Sequence, residues 1–339
     1  MRRTTFLCEL PPPFGGVTVK NQLILDAVVK DSNQVQVIDF FEIKRRPFRA
    51  VSILAKMLLS FIRKDTIVYG FGTHKRLKPA LRLQKIFGGK NSMARTTIVV
   101  MGGRLQDHLR KDAGLLRRCS EVKSNLVETE GMKAALVELG LKNCQVFPNA
   151  RTTVAAKEPA ACGKPLRCVF FSKICAGKGV DYILSELADA DEITIDFYGP
   201  IENGIKKQLD QFVKEHSFAR YNGVFDAAKA DVYAQLNGYD VLLLPTKFTT
   251  EGVPGILVES KMAGITAVVS NNSYNSEIVL DGVEGIVLPD LKPGTLLRTL
   301  KGLNADQNRL MRLKQGAYHS RTRYAMESYS ELLKSAFGL

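Results

Sequence analysis

The sequence predicts an α/β chain of two domains, each a parallel sheet covered by helices. Three observations carry this. The chain has 339 residues, about two domains at roughly 150 residues each. Short β-branched runs alternate with helix-length segments along most of it, the pattern of strands joined by helical crossovers. Charge also divides it: residues 1–150 hold 26 basic and 12 acidic side chains, and residues 151–339 hold 22 of each.

Composition removes several classes. Hydrophobic residues make up 45% and charged residues 24%, a globular balance rather than a disordered one. Four histidines and six scattered cysteines, with no CxxC pair, suggest neither a metal cluster nor a disulfide framework. Free thiols in a reducing compartment are expected. The apolar stretch Thr5–Leu10 is short and runs into Pro11, Pro12 and Pro13, a poor signal peptide. No run of 18 apolar residues occurs, so no transmembrane helix is expected. The whole net charge of +14 lies in the first half, which points to an anionic partner there.

Elements follow in order. Thr4–Cys8 reads as an opening strand, a Pro- and Gly-rich loop follows, and Val17–Val29 reads as a helix. Val35–Phe40, Ile67–Tyr69, Thr97–Met101 and Gln145–Phe147 are further strand candidates. Residues 151–165 lack periodicity and carry Pro and Gly, as a linker does. A second series then alternates strands at Leu166–Phe171, Glu192–Tyr198, Ala219–Asn222, Val241–Pro245, Thr266–Ser270 and Gly285–Leu288 with helices at Val180–Leu187, Glu202–Glu215, Asp226–Asn237, Gly255–Ala263 and Tyr274–Leu280. A helical tail, about Ala305–Phe337, is expected to pack back across the pair.

Residues 44–64 hold seven Lys or Arg, with apolar Val51, Ile53, Leu54, Met57, Leu58, Phe61 and Ile62 at helical spacing. A surface helix packed on the first sheet explains this. So does a helix lying on an anionic membrane. No aromatic stacking platform or recognisable motif for nucleic acid accompanies the charge.

Two constellations carry chemistry. After the strand Leu166–Phe171, a turn of small residues holds Lys173 and Lys178. Lysines at the carboxyl end of such a strand can neutralise a diphosphate. The spacing matches neither the dinucleotide fingerprint nor the Walker loop. Further on, Glu251 is followed by Gly252, Val253, Pro254 and Gly255, and a helix then carries Glu259. Carboxylates accept hydrogen bonds from sugar hydroxyls, and free N–H groups at a helix start suit phosphate oxygens. Solvated turn lysines and helix-surface glutamates are the structural alternatives.

The segment EGVPGILVESKMAG, preceded by DVLLLPT and followed by TAVVSNNSYNSEIVLDGVEG, resembles the nucleotide-sugar site of retaining glycosyltransferases of family 4. SKICAGKG, FYGP, YNGVFD and QVFPNAR extend the resemblance over about residues 145–290. The family pairs two glutamates with seven residues between them, as Glu251 and Glu259 stand here. Lys173 replaces its usual arginine and Lys178 matches its lysine. The resemblance implies the GT-B fold: two Rossmann-like α/β/α domains facing a central cleft. The boundaries expected are 1–150 for the acceptor side, 151–165 for the linker, 166–310 for the donor domain and 311–339 for a helical segment returning to the first domain.

It also implies roles. Lys173 and Lys178 would hold the donor diphosphate, Glu259 the ribose, and Glu251 the donor sugar. Amides from Gly252 through Val253 and Pro254 to Gly255 would support phosphate and sugar, and Val224 would line the base pocket. The loop with Gly15 and Gly16 would close on the donor. Where relatives place a histidine after the strand TTIVV, this chain has Met101, Gly102, Gly103 and Arg104. Arg104 is the candidate phosphate or acceptor contact there, with His74 and His108 left open. The implied donor is a nucleoside-diphosphate sugar, a UDP-sugar favoured over a GDP-sugar, with no cofactor and no metal required. The implied reaction transfers a hexose with retention to a saccharide or polyprenyl-diphosphate-linked acceptor, in bacterial capsule, O-antigen or related polysaccharide assembly. That places the chain in the cytoplasm, with the inner membrane face a candidate surface. A nucleotide-sugar hydrolase or epimerase, or a non-catalytic binding scaffold, remains open.

Overall fold

A computed structural model describes residues 3–29, 35–72, 74–190, 192–227, 229–249 and 251–339. The chain forms two compact units, Met1–Ala150 with Met326–Leu339, and Arg151–Ala325. Each is a six-stranded parallel sheet flanked by helices.

The first sheet comprises β1 (Thr4–Cys8), β2 (Val35–Asp39), β3 (Thr66–Gly70), β4 (Thr96–Val99), β5 (Ser124–Val127) and β6 (Cys144–Val146), in the order β2-β1-β3-β4-β5-β6. β5 is absent from the sequence reading. Its first two residues are polar, yet Ser124 and Asn125 are buried. The Ser124 hydroxyl lies 3.2 Å from that of Thr97, and Asn125 Nδ2 donates to the Cys119 carbonyl at 3.0 Å. These hydrogen bonds let a strand without an apolar run enter a core, although Asn125 Oδ1 has no partner among the described residues. The segment 44–64 also differs from one continuous helix. Pro47 starts a short 3-10 turn, Pro47–Arg49, between the helices Phe41–Arg45 and Ala50–Ile62.

The second sheet comprises β7 (Leu166–Phe171), β8 (Ile193–Tyr198), β9 (Ala219–Tyr221), β10 (Val241–Leu244), β11 (Thr266–Ser270) and β12 (Gly285–Leu288). Its order is β12-β11-β10-β7-β8-β9. Strands β7, β10 and β11 are almost wholly buried, as expected where helices cover both faces. The helix expected from Asp226 begins only at Val232, with Asp231 accepting from the Tyr233 amide as its cap.

Residues 151–165 are bonded to the second unit. The Lys157 amide donates to the Met262 carbonyl at 2.7 Å and the Gly163 amide to Asp240 at 3.2 Å. The tail divides later than residue 311. Helix Gln307–Ser320 stays with the second unit, where Lys314 Nζ meets Asp240 at 3.0 Å. Only Met326–Leu339 joins the first unit. There the Phe337 ring packs edge-on against Phe6 at 5.3 Å.

Candidate functional site

Strand order locates the site in the second unit. From β7 the chain runs outward through β8 and β9, then returns to place β10 on the other side of β7. Loops leaving the carboxyl ends of β7 and β10 therefore flank the switch point, where open α/β sheets bind ligands. Those loops carry Lys173 and Lys178, and the segment from Thr246 to Gly255. Thr250, within that segment, lies outside the described residues.

The two loops are locked together. Gly179 has φ 80°, and a Cβ there would lie 2.1 Å from the Pro245 carbonyl oxygen, so only glycine fits both the turn and the approach. The Lys247 amide donates to the Gly177 carbonyl at 2.9 Å. The Phe248 ring covers Gly177, and Lys178 Nζ stands 6.0 Å from its centroid. The loop after β11 braces the same segment. Asn272 Nδ2 donates to the Thr246 carbonyl at 2.8 Å, and Ser273 Oγ to the Glu251 carbonyl at 2.6 Å.

The result is a direct ion pair between Lys178 and Glu251, both largely shielded from solvent. The second carboxylate oxygen of Glu251, Oε2, is buried with no hydrogen-bond partner among the described residues. Lys173 is not part of this pair. It bonds the Glu202 carboxylate at 2.6 Å on the exposed surface, which holds its ammonium above the ordinary lysine range.

Gly252, Val253 and Pro254 are buried and lead into the helix Gly255–Met262, whose N-cap residue Pro254 offers no side-chain cap. In its first turn the Leu257 amide bonds the Pro254 carbonyl at 3.1 Å, so an outside acceptor has the amides that precede it. Glu259 lies on this helix and accepts from Arg151 Nε at 2.9 Å. Val224 follows the end of β9, directly after Gly223 at φ 78°, and is 64% exposed.

Other expected residues lie in the first unit, at the carboxyl ends of the adjacent strands β1, β3 and β4. Gly15 and Gly16 help line a cleft of about 370 Å³ with Phe14, Phe41, Lys44 and Arg76. Arg76 pairs with Glu9, and its guanidinium sits 5.3 Å from the Phe41 ring centroid. Arg104 is exposed at the start of the helix Leu105–Lys111. The rings of His74 and His108 stack with centroids 3.4 Å apart. Burial, then the charges of His74 and Arg104, push the His108 imidazole below its ordinary value.

Sequence reasoning missed Arg151 as the partner of Glu259, Phe248 over the lysine turn, and the Phe41–Arg76 cleft. Only Phe248 left a trace, as an aromatic residue inside a polar loop. Among the described residues no group of three or more His, Cys, Asp or Glu could hold a metal. No described helix is long and apolar enough to cross a membrane.

Comparisons with known proteins give a family match in the second unit and a likeness of fold. The family described as Glycosyl transferases group 1 matches residues 165–306, which span the whole β7–β10 switch point. No curated protein sequence matches the chain. Among solved structures, HepE from Anabaena in complex with UDP is 14% identical, with 99% of each chain covered and a TM-score of 0.77. Sucrose-phosphate synthase from Thermosynechococcus elongatus is 10% identical, covers 99% of this chain and 98% of its own, and also has a TM-score of 0.77. The lipopolysaccharide outer core galactosyltransferase WaaB, in its apo form, is 15% identical over 99% of each chain with a TM-score of 0.65. At these identities the likeness is one of fold: two α/β domains of the GT-B architecture.

Proposed function

We propose that this chain is a retaining glycosyltransferase of family 4 that moves a hexose-type sugar from a nucleoside-diphosphate sugar to a saccharide hydroxyl. The observation that carries the reading is the Lys178–Glu251 pair at the switch point of the second sheet, beside a helix start without a side-chain cap. Diphosphate departure needs its growing negative charge stabilised. Lys178 supplies a cation, and the amides around Gly252–Gly255 supply dipoles. Glu251 Oε2, buried and unpartnered among the described residues, would gain its missing hydrogen bond from a hydroxyl of the donor sugar. Glu259, held by Arg151, suits the ribose hydroxyls.

Lys173, exposed beside Glu202, serves as a second, solvated contact to the diphosphate, and Val224 offers an apolar surface to the base. Gly15, Gly16 and Arg104 stand as the first unit's contributions to donor and acceptor binding. A UDP-sugar is the favoured donor, supported by HepE having been solved with UDP-glucose. The acceptor class is a saccharide, free or carried on a polyprenyl diphosphate, in polysaccharide assembly on the cytoplasmic side of the membrane. With retention, a phosphate oxygen of the leaving group takes the acceptor proton as the new bond forms on the same face. The glutamates then bind and orient rather than act as the paired carboxylates of a hydrolase.

Calorimetry against UDP-, GDP-, ADP-, CMP- and dTDP-sugars tests the reading, repeated with Lys178→Ala and Glu259→Ala. One base should bind, and both variants should weaken it. Absence of binding across the panel, in the presence and absence of oligosaccharide acceptors, would refute the donor site. Release of nucleoside diphosphate that depends on acceptor separates transfer from hydrolysis.

A further inference from the structure

The helix Ala50–Ile62 has two apolar faces. Ile53, Met57 and Phe61 are buried in the first unit. Val51, Leu54, Leu59 and Ile62 point away from it, and Val51 is 79% exposed. With Ala55 and Leu58 they follow the i, i+3, i+4, i+7, i+8, i+11 pattern of one helical stripe. Burial on the protein uses only the first face. The preceding turn adds Phe48, 80% exposed.

A second helix extends this surface. In the helical stretch His74–Met93, a Cβ on Gly88 would lie 2.9 Å from the Phe61 carbonyl oxygen. The glycine thus seats this helix against the end of the first one. Ile86 and Phe87, immediately before Gly88, are 72% and 46% exposed. Among the described residues, seven of the fifteen exposed large hydrophobic ones therefore fall between positions 48 and 87, where scattered single residues would be ordinary.

Charge around the patch is predominantly basic, with Glu42 paired to Arg49 and Glu121 to Lys85 at its edge. From residue 43 to residue 106 the sequence holds fifteen Lys and Arg but a single acidic residue, Asp65. Asp65 is buried and accepts from the Thr5 hydroxyl at 3.1 Å. Arg46, Lys56, Arg63, Lys64, Arg82 and Lys90 are exposed, with no carboxylate in ion-pair reach among the described residues.

We infer that this surface, the outer stripe of Ala50–Ile62 with Phe48, Ile86 and Phe87, docks on an anionic lipid bilayer. The apolar side chains enter the headgroup boundary and the basic rim meets lipid phosphates. A second copy of the chain would bring the same positive field against this one. Nucleic acid would satisfy the charges and leave the apolar stripe unused. An anionic bilayer matches both. This inference rests on neither the donor site nor the proposed reaction.

Sedimentation of the full chain with vesicles tests it, comparing pure phosphatidylcholine with mixtures containing phosphatidylglycerol at low and high salt. Binding should be at least tenfold stronger to the anionic vesicles and should fall with salt. Val51→Asp/Ile62→Asp should abolish it. Arg46→Glu/Lys56→Glu should weaken it at least tenfold, at about fivefold per basic residue removed. Both variants alter exposed side chains, and unchanged circular dichroism melting confirms that they fold. The charge variant decides alone if the apolar one does not fold. Equal binding to neutral and anionic vesicles, or none to either, overturns the inference. So does a dimer in light scattering that Val51→Asp/Ile62→Asp splits while the wild type ignores vesicles.

Discussion

Arg151 Nε donates to Glu259 Oε1 at 2.9 Å, across 108 positions of sequence. Arg151 is only 4% exposed at its side chain and Glu259 18%. The carboxylate assigned to the ribose is therefore also a structural group. Its removal should cost stability as well as ligand. A charge-assisted hydrogen bond of this kind contributes about 1.5–3 kcal/mol. Glu259→Ala should lower the thermal midpoint of the second unit by about 5 °C, and Glu259→Gln, which keeps an acceptor oxygen, by less. Scanning calorimetry without nucleotide checks this. An unchanged midpoint in Glu259→Ala would mean that the pair holds nothing together.

The two lysines of the turn should separate. Lys178 is shielded and bound to Glu251, whereas Lys173 pairs with Glu202 with about half of each side chain exposed. Lys178→Ala should weaken UDP-sugar binding roughly 10- to 100-fold, the range of one lost charged hydrogen bond. Lys173→Ala should weaken it by less than about fivefold, the worth of a solvated contact. Equal losses in a calorimetric titration would show that Lys173 turns inward with the donor and that the exposed pair is incidental.

Glycines at the loops also divide by physics. Gly179→Ala places a Cβ against the Pro245 carbonyl at a positive φ. Strain in a fixed backbone cannot relax cheaply, so a cost above about 2 kcal/mol is expected. Around Gly15 and Gly16 an added Cβ would meet nothing within 4 Å. Ala at either position should change stability by no more than about 0.5 kcal/mol. Urea denaturation measures both. Any loss of turnover in the Gly16→Ala variant would then report on ligand contact, since the fold itself has room.

Legibility in the sequence followed the same physical divide. β7, β10 and β11 were readable because strands covered on both faces must be nearly all apolar. β5 was not, because Ser124 and Asn125 are buried through hydrogen bonds that only the folded chain supplies. Glu251 and Glu259 stood out by spacing across a Gly-Pro-Gly turn. Their partners did not. Lys178 and Arg151 lie 73 and 108 positions from them, and Lys173 looked equivalent to Lys178 until β8 and its following loop brought Glu202 within reach. The break at Pro47 went unread, and which apolar face of the next helix is buried, that of Ile53, Met57 and Phe61, is set by the packed chain.

The second unit should have an acid limit set at Asp240. This carboxylate, fully buried, accepts from Arg167 Nε and Nη2 at 2.9 Å each and from Lys314 Nζ at 3.0 Å. Burial alone would raise its pKa, but the Arg167 hydrogen bonds and the Lys314 charge outweigh that and hold it below the usual carboxylate range. A carboxyl with a depressed folded-state pKa stabilises fully above its unfolded value of about 3.9, and the contribution is lost as pH falls through the folded value. Stability should thus hold down to about pH 4 and drop below it. Asp240→Asn should remove this part of the acid transition while destabilising at neutral pH by about 3–5 kcal/mol, because Lys314 is left buried without its counter-charge. Replacing both, Asp240→Asn with Lys314→Met, should recover much of that loss. Urea midpoints from pH 7 to pH 3 on the wild type and both variants decide it. If Asp240→Asn kept the wild-type acid transition, the carboxylates that limit stability would have to be sought elsewhere.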